Sequence, residues 1–297
     1  MTASQAPFFV VGAHRSGTTM LRLMLNSHPR LAVPFESRFL DPWKTITEYG
    51  DLQERRNAER LLAVLGDDPW TKRGKVIQDP DAILAEPIAT YGDLLTAVFH
   101  HYAERRGKAR WGVKTPGYVT QLDQIWRIFP GCKVVHLVRD GRDVALSYRN
   151  LSWGPAHTPK AAEDWRWKVM LGHKMGGMIG DHYLEVHYED LVRSSEATLR
   201  RICAFLGEQY DARMLEYHLD AEDEMPSDSI QWHRASTSAP DEGKVFAWKR
   251  EMSVADQVLF DEIAGDALQQ FGYERVFHSA RLRVACKRVY YYVIKRL

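Results

Sequence analysis

The short apolar run Phe8–Val11 gives way to Gly12–Ala13–His14–Arg15–Ser16–Gly17–Thr18–Thr19, and an apolar-periodic stretch with Met20, Leu21, Met24 and Leu25 follows at once. A strand, a glycine loop and a helix start in that order hold an anion against backbone N–H groups, which point outward at a helix N-terminus. Gly12 and Gly17 have the spacing of a P-loop, but Thr18 stands where an ATP- or GTP-binding loop carries lysine. The anchor for a first phosphate is present, while the ammonium that reaches β- and γ-phosphates is missing. The pattern points to a nucleotide with a shorter 5′ chain than a triphosphate. Loop N–H groups, the Thr18 and Thr19 hydroxyls and the Arg15 guanidinium would hold it. An ordinary strand-to-helix turn, with glycine needed only for positive φ, is the plainer reading of the same residues.

The rest of the chain continues the alternation. Leu31–Val33 predicts a second strand, Arg110–Val113 a third, Lys133–Val138 a fourth and Tyr183–His187 a fifth. Helices are expected over 18–27, 91–102, 118–129, 142–150, 161–178, 194–206 and 253–271, the last with Ser253 as N-cap and Asp256 three residues on. Residues 43–106 read as mostly helical and polar, and 222–245 as a long loop. Strand–helix alternation implies an α/β fold, a P-loop-like parallel sheet flanked by helices on both faces, with 43–106 as a helical insert. Ligands in such sheets sit beyond the carboxyl ends of the strands. The loops 12–17, 34–38, 114–117 and 139–142 all fall at such ends. One domain over 1–277 and a tail over 278–297 follow.

Charge and cysteines narrow the classes. The formal net charge is +1, which offers nucleic acid no general attraction. The last twenty residues hold six Lys/Arg and no Asp/Glu, leaving 34 Lys/Arg against 39 Asp/Glu elsewhere, a net of −5. Cys132, Cys203 and Cys286 lie far apart without metal-ligand spacing, so neither a disulfide framework nor a metal site is expected, and a reducing, cytoplasmic location is. Phe8–Val11 is too short for a signal-peptide core. No apolar run reaches the roughly 18 residues of a membrane span. The tail places Leu282, Cys286, Val289 and Val293 on one helical face among basic residues and tyrosines. That fits a peripheral membrane helix, or docking on the domain's own surface.

A second polar segment, Val138–Arg139–Asp140–Gly141–Arg142–Asp143–Val144–Ala145–Leu146–Ser147, begins at a strand end. Arg139 and Ser147, two helical turns apart, suit a second phosphate some distance from the first; a surface charge cluster capping a helix is the alternative.

These segments together resemble the sulfotransferases that use 3′-phosphoadenosine 5′-phosphosulfate, PAPS. Arg15–Ser16–Gly17–Thr18–Thr19 is similar to that family's 5′-phosphosulfate loop, and Arg139 with Ser147, eight apart, to its 3′-phosphate element. Tyr188–Glu189–Asp190–Leu191 resembles a tyrosine–glutamate segment near the adenine, and Phe35–Glu36–Ser37–Arg38 the Glu-Thr-Arg segment of tyrosylprotein and some carbohydrate sulfotransferases. The likeness runs in order from Phe8 to about Leu206 and fades after it. It implies PAPS as donor, no metal, and in-line transfer of a sulfuryl group to a hydroxyl of a carbohydrate, lipid, phenol or tyrosine. Such transfer needs a base for the acceptor proton and positive charge for the leaving oxygen. Glu36 is the candidate base and Lys114 the candidate cation, with Arg15 beside the sulfuryl group. Many cytosolic members place a catalytic His just after the lysine; Lys114–Tyr118 contains none, which favours Glu36. His14, His28 and His136 read as structural.

The 233–250 stretch has the character of a flap over the nucleotide, with Thr237, Ser238 and Lys244 as further donors. Trp43, Trp70, Tyr91, Trp153, Trp165 and Trp167 could line an acceptor pocket, but aromatic residues on helices more often pack in a core, and none is assigned a role. Two rival functions remain at this stage: a P-loop phosphotransferase with an atypical anchor, and a non-catalytic nucleotide-binding module docked to a membrane. Acceptor and oligomeric state are not legible in the sequence.

Overall fold

Strand β1 (Phe8–Val11) is buried at every position and lies at the centre of a five-stranded sheet. Its alternate side chains enter different cores, because successive residues of a strand point to opposite faces. Phe9 and Val11 join Phe39, Phe99, Trp111 and Phe129, whereas Phe8 and Val10 join Met20, Leu21, Val135 and Leu199. The computed structural model describes residues 6–43, 45–149, 151, 153–226 and 236–277.

In chain order the elements are β1, α1 (Thr18–Asn26), β2 (Leu31–Ala32), α2 (Leu40–Trp43), α3 (Arg55–Asp67), α4 (Pro69–Arg73), α5 (Pro80–Ile83) and α6 (Tyr91–Arg105). Then follow β3 (Arg110–Lys114), α7 (Leu122–Ile128), β4 (Lys133–Val138), α8 (Gly141–Tyr148), α9 (Thr158–Ile179), β5 (Tyr183–His187), α10 (Tyr188–Arg193) and α11 (Ser195–Leu206). A last long helix covers Val254–Gln270, capped by Ser253, whose hydroxyl accepts from the Asp256 N–H. The strand order is β2-β3-β1-β4-β5 and every pairing is parallel, with Val10 opposite Lys114 and Val11 opposite His136. The α/β fold expected from the alternation is the fold observed.

Helix α6 supplies Tyr91, Leu94, Leu95, Val98, Phe99 and Tyr102 to the core on the Phe9 side. Full burial of such a side chain is worth roughly 1.5–3 kcal/mol, so this part of the insert is a wall of the sheet. Its start is fixed by a capping box between Thr90 and Asp93. Three boundaries differ from expectation for identifiable reasons. Strand β2 stops before Val33, because the Val33 N–H donates to Asn26 Oδ1 at 3.0 Å and its carbonyl accepts from Arg22 Nε at 3.1 Å. Side chains of α1 thus take the groups a ladder would use. The expected helix over 118–129 is a 3₁₀ turn, Pro116–Thr120, followed by α7, with non-helical Gln121 between them. The Tyr118 hydroxyl donates to Ser37 O at 3.0 Å and accepts from the Leu40 N–H at 3.1 Å, which ties the turn to the 34–40 segment. The helix expected from 161 starts at Thr158, with Pro159 in its first turn where the missing N–H costs nothing.

Cys132 and Cys203 are buried free thiols, and burial pushes them up to about 12 and about 11. Cys286, the 278–297 tail and residues 227–235 of the long loop lie outside the described residues. No described helix is long and apolar enough to cross a membrane.

Candidate active site

The loops at the carboxyl ends of β1, β2, β3 and β4 surround one cleft of about 1020 Å³. The first loop is shaped by two glycines. A Cβ on Gly12 would stand 2.4 Å from the Leu137 carbonyl oxygen, so the loop passes directly over β4. Gly17 caps α1 with φ +92°, and a Cβ there would stand 2.4 Å from Tyr188 Cδ2. Only glycine meets both demands. Arg15 also has a left-handed backbone, φ +71°, which a non-glycine residue adopts at a cost. Thr18 and Thr19 begin α1 and line the cleft. Ser16 is wholly buried beneath the loop, and its Oγ has no hydrogen-bond partner among the described residues.

Arg15 Nε donates to Ser147 Oγ at 2.9 Å, so the two expected phosphate elements meet. Arg139 donates to the carbonyls of Arg15 at 3.3 Å and Lys244 at 2.8 Å, and its guanidinium lies 4.3 Å from the centre of the Tyr188 ring. Arg139 Nε is buried without a hydrogen-bond partner among the described residues. Burial, and then the Arg139 charge, lower the Arg15 pKa, the signature of two cations crowded at one place. The Asp143 carboxylate stands 3.7 Å from Arg139. Burial pushes Asp143 up to about 6, against the opposing pull of Arg139.

The neighbouring arginine of the same segment faces the other way. Arg142 is fully buried, paired with Asp140 at 2.8 Å and Asp261 at 3.3 Å, and stacked 3.6 Å from the Trp248 ring centre. Asp261 in turn accepts from the Val276 and Phe277 N–H groups at 2.7 and 2.9 Å. Glu189 is likewise internal: it accepts from the Asp140 N–H at 3.0 Å and the Tyr273 hydroxyl at 2.9 Å, and burial pushes it up to about 7. Asp140, Arg142 and Glu189 therefore brace the turn that presents Arg139.

Lys114, the last residue of β3, is 0 % exposed. Its ammonium forms an ion pair with Glu36, lies 3.5 Å from Thr19 Oγ1 and sits 5.3 Å from the centre of the Phe35 ring. Burial lowers the Lys114 pKa and the Glu36 charge resists. Glu36 borders the cleft, so the pair joins a buried cation to an accessible carboxylate.

His14, set aside on sequence as structural, lines the cleft. Its Nδ1 is 3.4 Å from the Lys168 ammonium, its ring meets Trp153 edge-on, and burial, then the Lys168 charge, lower its pKa. Nothing local in the sequence distinguishes it; its place in the loop between β1 and α1 was the available signal. His28 and His136 are structural as expected. His28 accepts from the Arg30 N–H and contacts Gln209 O at 2.8 Å, and His136 is wholly buried. In the flap, Lys244 and Ser236 line the cleft. Ser238 is not on the cleft wall, and its carbonyl accepts from the Tyr217 hydroxyl at 2.5 Å.

Residues 7–212 match the model of the sulfotransferase family. The chain belongs to that family. Its members are transferases whose sulfuryl donor is PAPS, the class and donor the motifs implied. The sulfotransferase domain of the olefin synthase from Synechococcus PCC 7002 superposes with a TM-score of 0.63 at 24% identity, over 90% of this chain and 94% of that one, which shows the shared fold. Nodulation protein NoeE of Sinorhizobium fredii is 23% identical over 92% of this chain and 67% of its own length. Protein-tyrosine sulfotransferase A of Caenorhabditis elegans is 24% identical over 71% of this chain and 53% of its own. The chain spans about a quarter to two thirds of the length of the curated relatives it matches.

Proposed function

We propose that the cleft moves the sulfuryl group of PAPS to an acceptor hydroxyl, of a tyrosine or a sugar, with Glu36 as base and Lys114 at the leaving oxygen. The observation that supports it most is the Lys114–Glu36 pair, in which an ammonium buried behind the cleft wall holds the carboxylate that lines the same cleft as Arg15 and Arg139. The orphaned Ser16 Oγ and Arg139 Nε fit the donor, since buried polar groups without partners cost about 1–3 kcal/mol each and an anion would satisfy them.

In this reading Glu36 takes the acceptor proton as the acceptor oxygen bonds to sulfur. The bond from sulfur to the 5′-phosphate oxygen breaks, that oxygen keeps the electron pair, and the Lys114 ammonium stabilises it. Arg15, Ser16, Gly17, Thr18 and Thr19 hold the 5′ side. Arg139 and Ser147 hold the 3′-phosphate, Tyr188 borders the adenine, and Lys244 closes over the donor. Ser238 has no part unless the flap moves. No step requires a divalent cation, which separates this reading from phosphotransfer, where the ion bridges the phosphates.

Calorimetry on the full chain tests the donor site. Adenosine 3′,5′-bisphosphate is expected to bind tightly in EDTA and ATP poorly; tight magnesium-dependent ATP binding would reject the assignment. A screen of glycans, phenols and tyrosine peptides with ³⁵S-labelled PAPS tests transfer. Binding without transfer to any of them would favour a non-catalytic module.

A further inference from the structure

A second pocket, of about 640 Å³, lies behind the cleft wall. Among its described lining residues are six Lys/Arg and two acidic residues, an excess of four positive charges. Arg22 forms its floor, 1 % exposed, and Arg73, Lys75, Arg105 and Arg106 come from its sides. The chain's own Glu224 occupies it, with its carboxylate on both Arg22 and Arg106. A carboxylate seated on two guanidinium groups shows what chemistry the pocket accepts.

Lys75 follows the last turn of α4 at the edge of the pocket. Its backbone φ is +47°, one of three non-glycine residues with positive φ among those described, and another is Arg15 in the phosphate loop. The turn is the C-terminal cap of α4, in which the Lys75 N–H donates to Lys72 O at 3.0 Å and the Val76 N–H to Thr71 O at 3.2 Å, a place where glycine would adopt the same backbone freely. The Lys75 ammonium has no hydrogen-bond or ion-pair partner among the described residues, so the cap leaves an unpaired cation on the lining of the pocket.

The pocket and the cleft share one aromatic wall. Phe35 lines the pocket and the next residue, Glu36, lines the cleft. The Phe35 and Trp70 rings stack with centres 6.0 Å apart, and Trp70 lies between Arg38 on the cleft side, 5.5 Å away, and Arg73 on the pocket side, 5.1 Å away. We propose that this pocket binds an oxyanion substituent of the acceptor, a phosphate, sulfate or carboxylate carried by the molecule whose hydroxyl is presented to Glu36. Binding displaces the Glu224 carboxylate from Arg106, while the Val33 and Glu224 carbonyls keep Arg22 in place as the cationic floor. The assignment to the acceptor rests on the sulfuryl-transfer reading.

The test keeps the two apart by filling the donor site first. The full chain is saturated with adenosine 3′,5′-bisphosphate and titrated calorimetrically with inorganic tripolyphosphate. One further site per chain is expected. Lys75→Gly is expected to weaken it about fivefold or more, with a melting temperature at or above that of the parent and adenosine bisphosphate affinity within about twofold, because the substitution removes a charge and relieves the turn. Glu224→Gln, which removes the resident anion, is expected to tighten it. In ³⁵S transfer to any acceptor that turns over, tripolyphosphate should raise the acceptor KM and leave kcat unchanged. No heat from the filled protein, equal affinity in Lys75→Gly, or inhibition that lowers kcat without changing acceptor KM overturns the proposal. Failure of adenosine bisphosphate to bind at all would strike the donor-site reading instead.

Discussion

Glu36→Gln separates chemistry from binding more cleanly than any other substitution in the cleft. Glu36 is the carboxylate paired with Lys114, whose ammonium is 0 % exposed. Removing one partner of a fully buried pair costs about 3–5 kcal/mol, because the other charge stays behind in a poor solvent. Here the cost is smaller. The glutamine oxygen can still accept from the ammonium, and position 36 borders an open cleft, so about 1–3 kcal/mol is expected, a fall in melting temperature of about 2–8 °C. Loss of a general base costs about 10²–10⁴ in turnover, which is roughly 3–5 kcal/mol of transition-state free energy. Nucleotide binding should move the other way. An unpaired Lys114 ammonium attracts phosphate more strongly, so adenosine 3′,5′-bisphosphate should bind the variant as well as or better than the parent. Saturation with it at about 100 times Kd, worth about 2.7 kcal/mol, should restore much of the lost melting temperature. The assays are ³⁵S transfer, calorimetry and thermal melting on the same preparation. Equal losses of turnover and nucleotide affinity would remove Glu36 from the base role and leave it a strut for Lys114.

Three further outcomes follow from the same geometry. Arg139→Ala should cost adenosine 3′,5′-bisphosphate about 1.5–3 kcal/mol of affinity, the worth of a charged hydrogen bond, while adenosine 5′-monophosphate loses little; equal losses in calorimetry would place Arg139 away from the 3′-phosphate. Gly17→Ala puts a methyl 2.4 Å from the Tyr188 ring at φ +92° and should lower stability by about 1–3 kcal/mol and weaken adenosine bisphosphate at least tenfold, measured by melting and calorimetry. Glu189, buried and raised from 4.5 to about 7, adds stability that is fully present below about pH 4.5 and is lost as pH rises through about 7. His136, buried and lowered from 6.5 to about 4, adds stability that is present above about pH 6.5 and is lost as pH falls through about 4. The two slopes oppose each other between about pH 4.5 and 6.5. Glu189→Gln keeps an acceptor for the Asp140 N–H and removes one slope, so denaturant melts should show it closest to or above the parent at pH 8 and falling behind at pH 5; parallel pH profiles would contradict this.

What the sequence could disclose depended on whether the partners of a residue lay near it in the chain. The phosphate loop was legible because its demands are local: strand, tight turn and helix start within twelve residues, with glycine where a Cβ would strike Leu137 or Tyr188. The five buried strands were legible for the same reason, since a parallel strand covered on both faces is apolar throughout. Arg139 and Arg142 show where that logic stops. They stand three apart in one segment and look equivalent. One reaches the cleft and the other is buried, because Asp261, 119 residues on, and Trp248 close over it. Arg22 repeats the lesson: on α1 it occupies an apolar-periodic stretch, and its buried guanidinium is held by the Val33 carbonyl and by Glu224, 202 residues away. His14 reads as structural on sequence because its neighbours in the cleft, Lys168 and Trp153, lie far along the chain. Ser238 and Ser236 differ by two places in a loop with no repeating geometry, where no period says which side chain turns inward. A charged residue in an apolar-periodic helix, or a polar one at a strand end, is therefore a marker of distant partners, and the two in this chain that were most informative, Arg22 and Lys114, flank the two faces of the same Phe35–Trp70 wall.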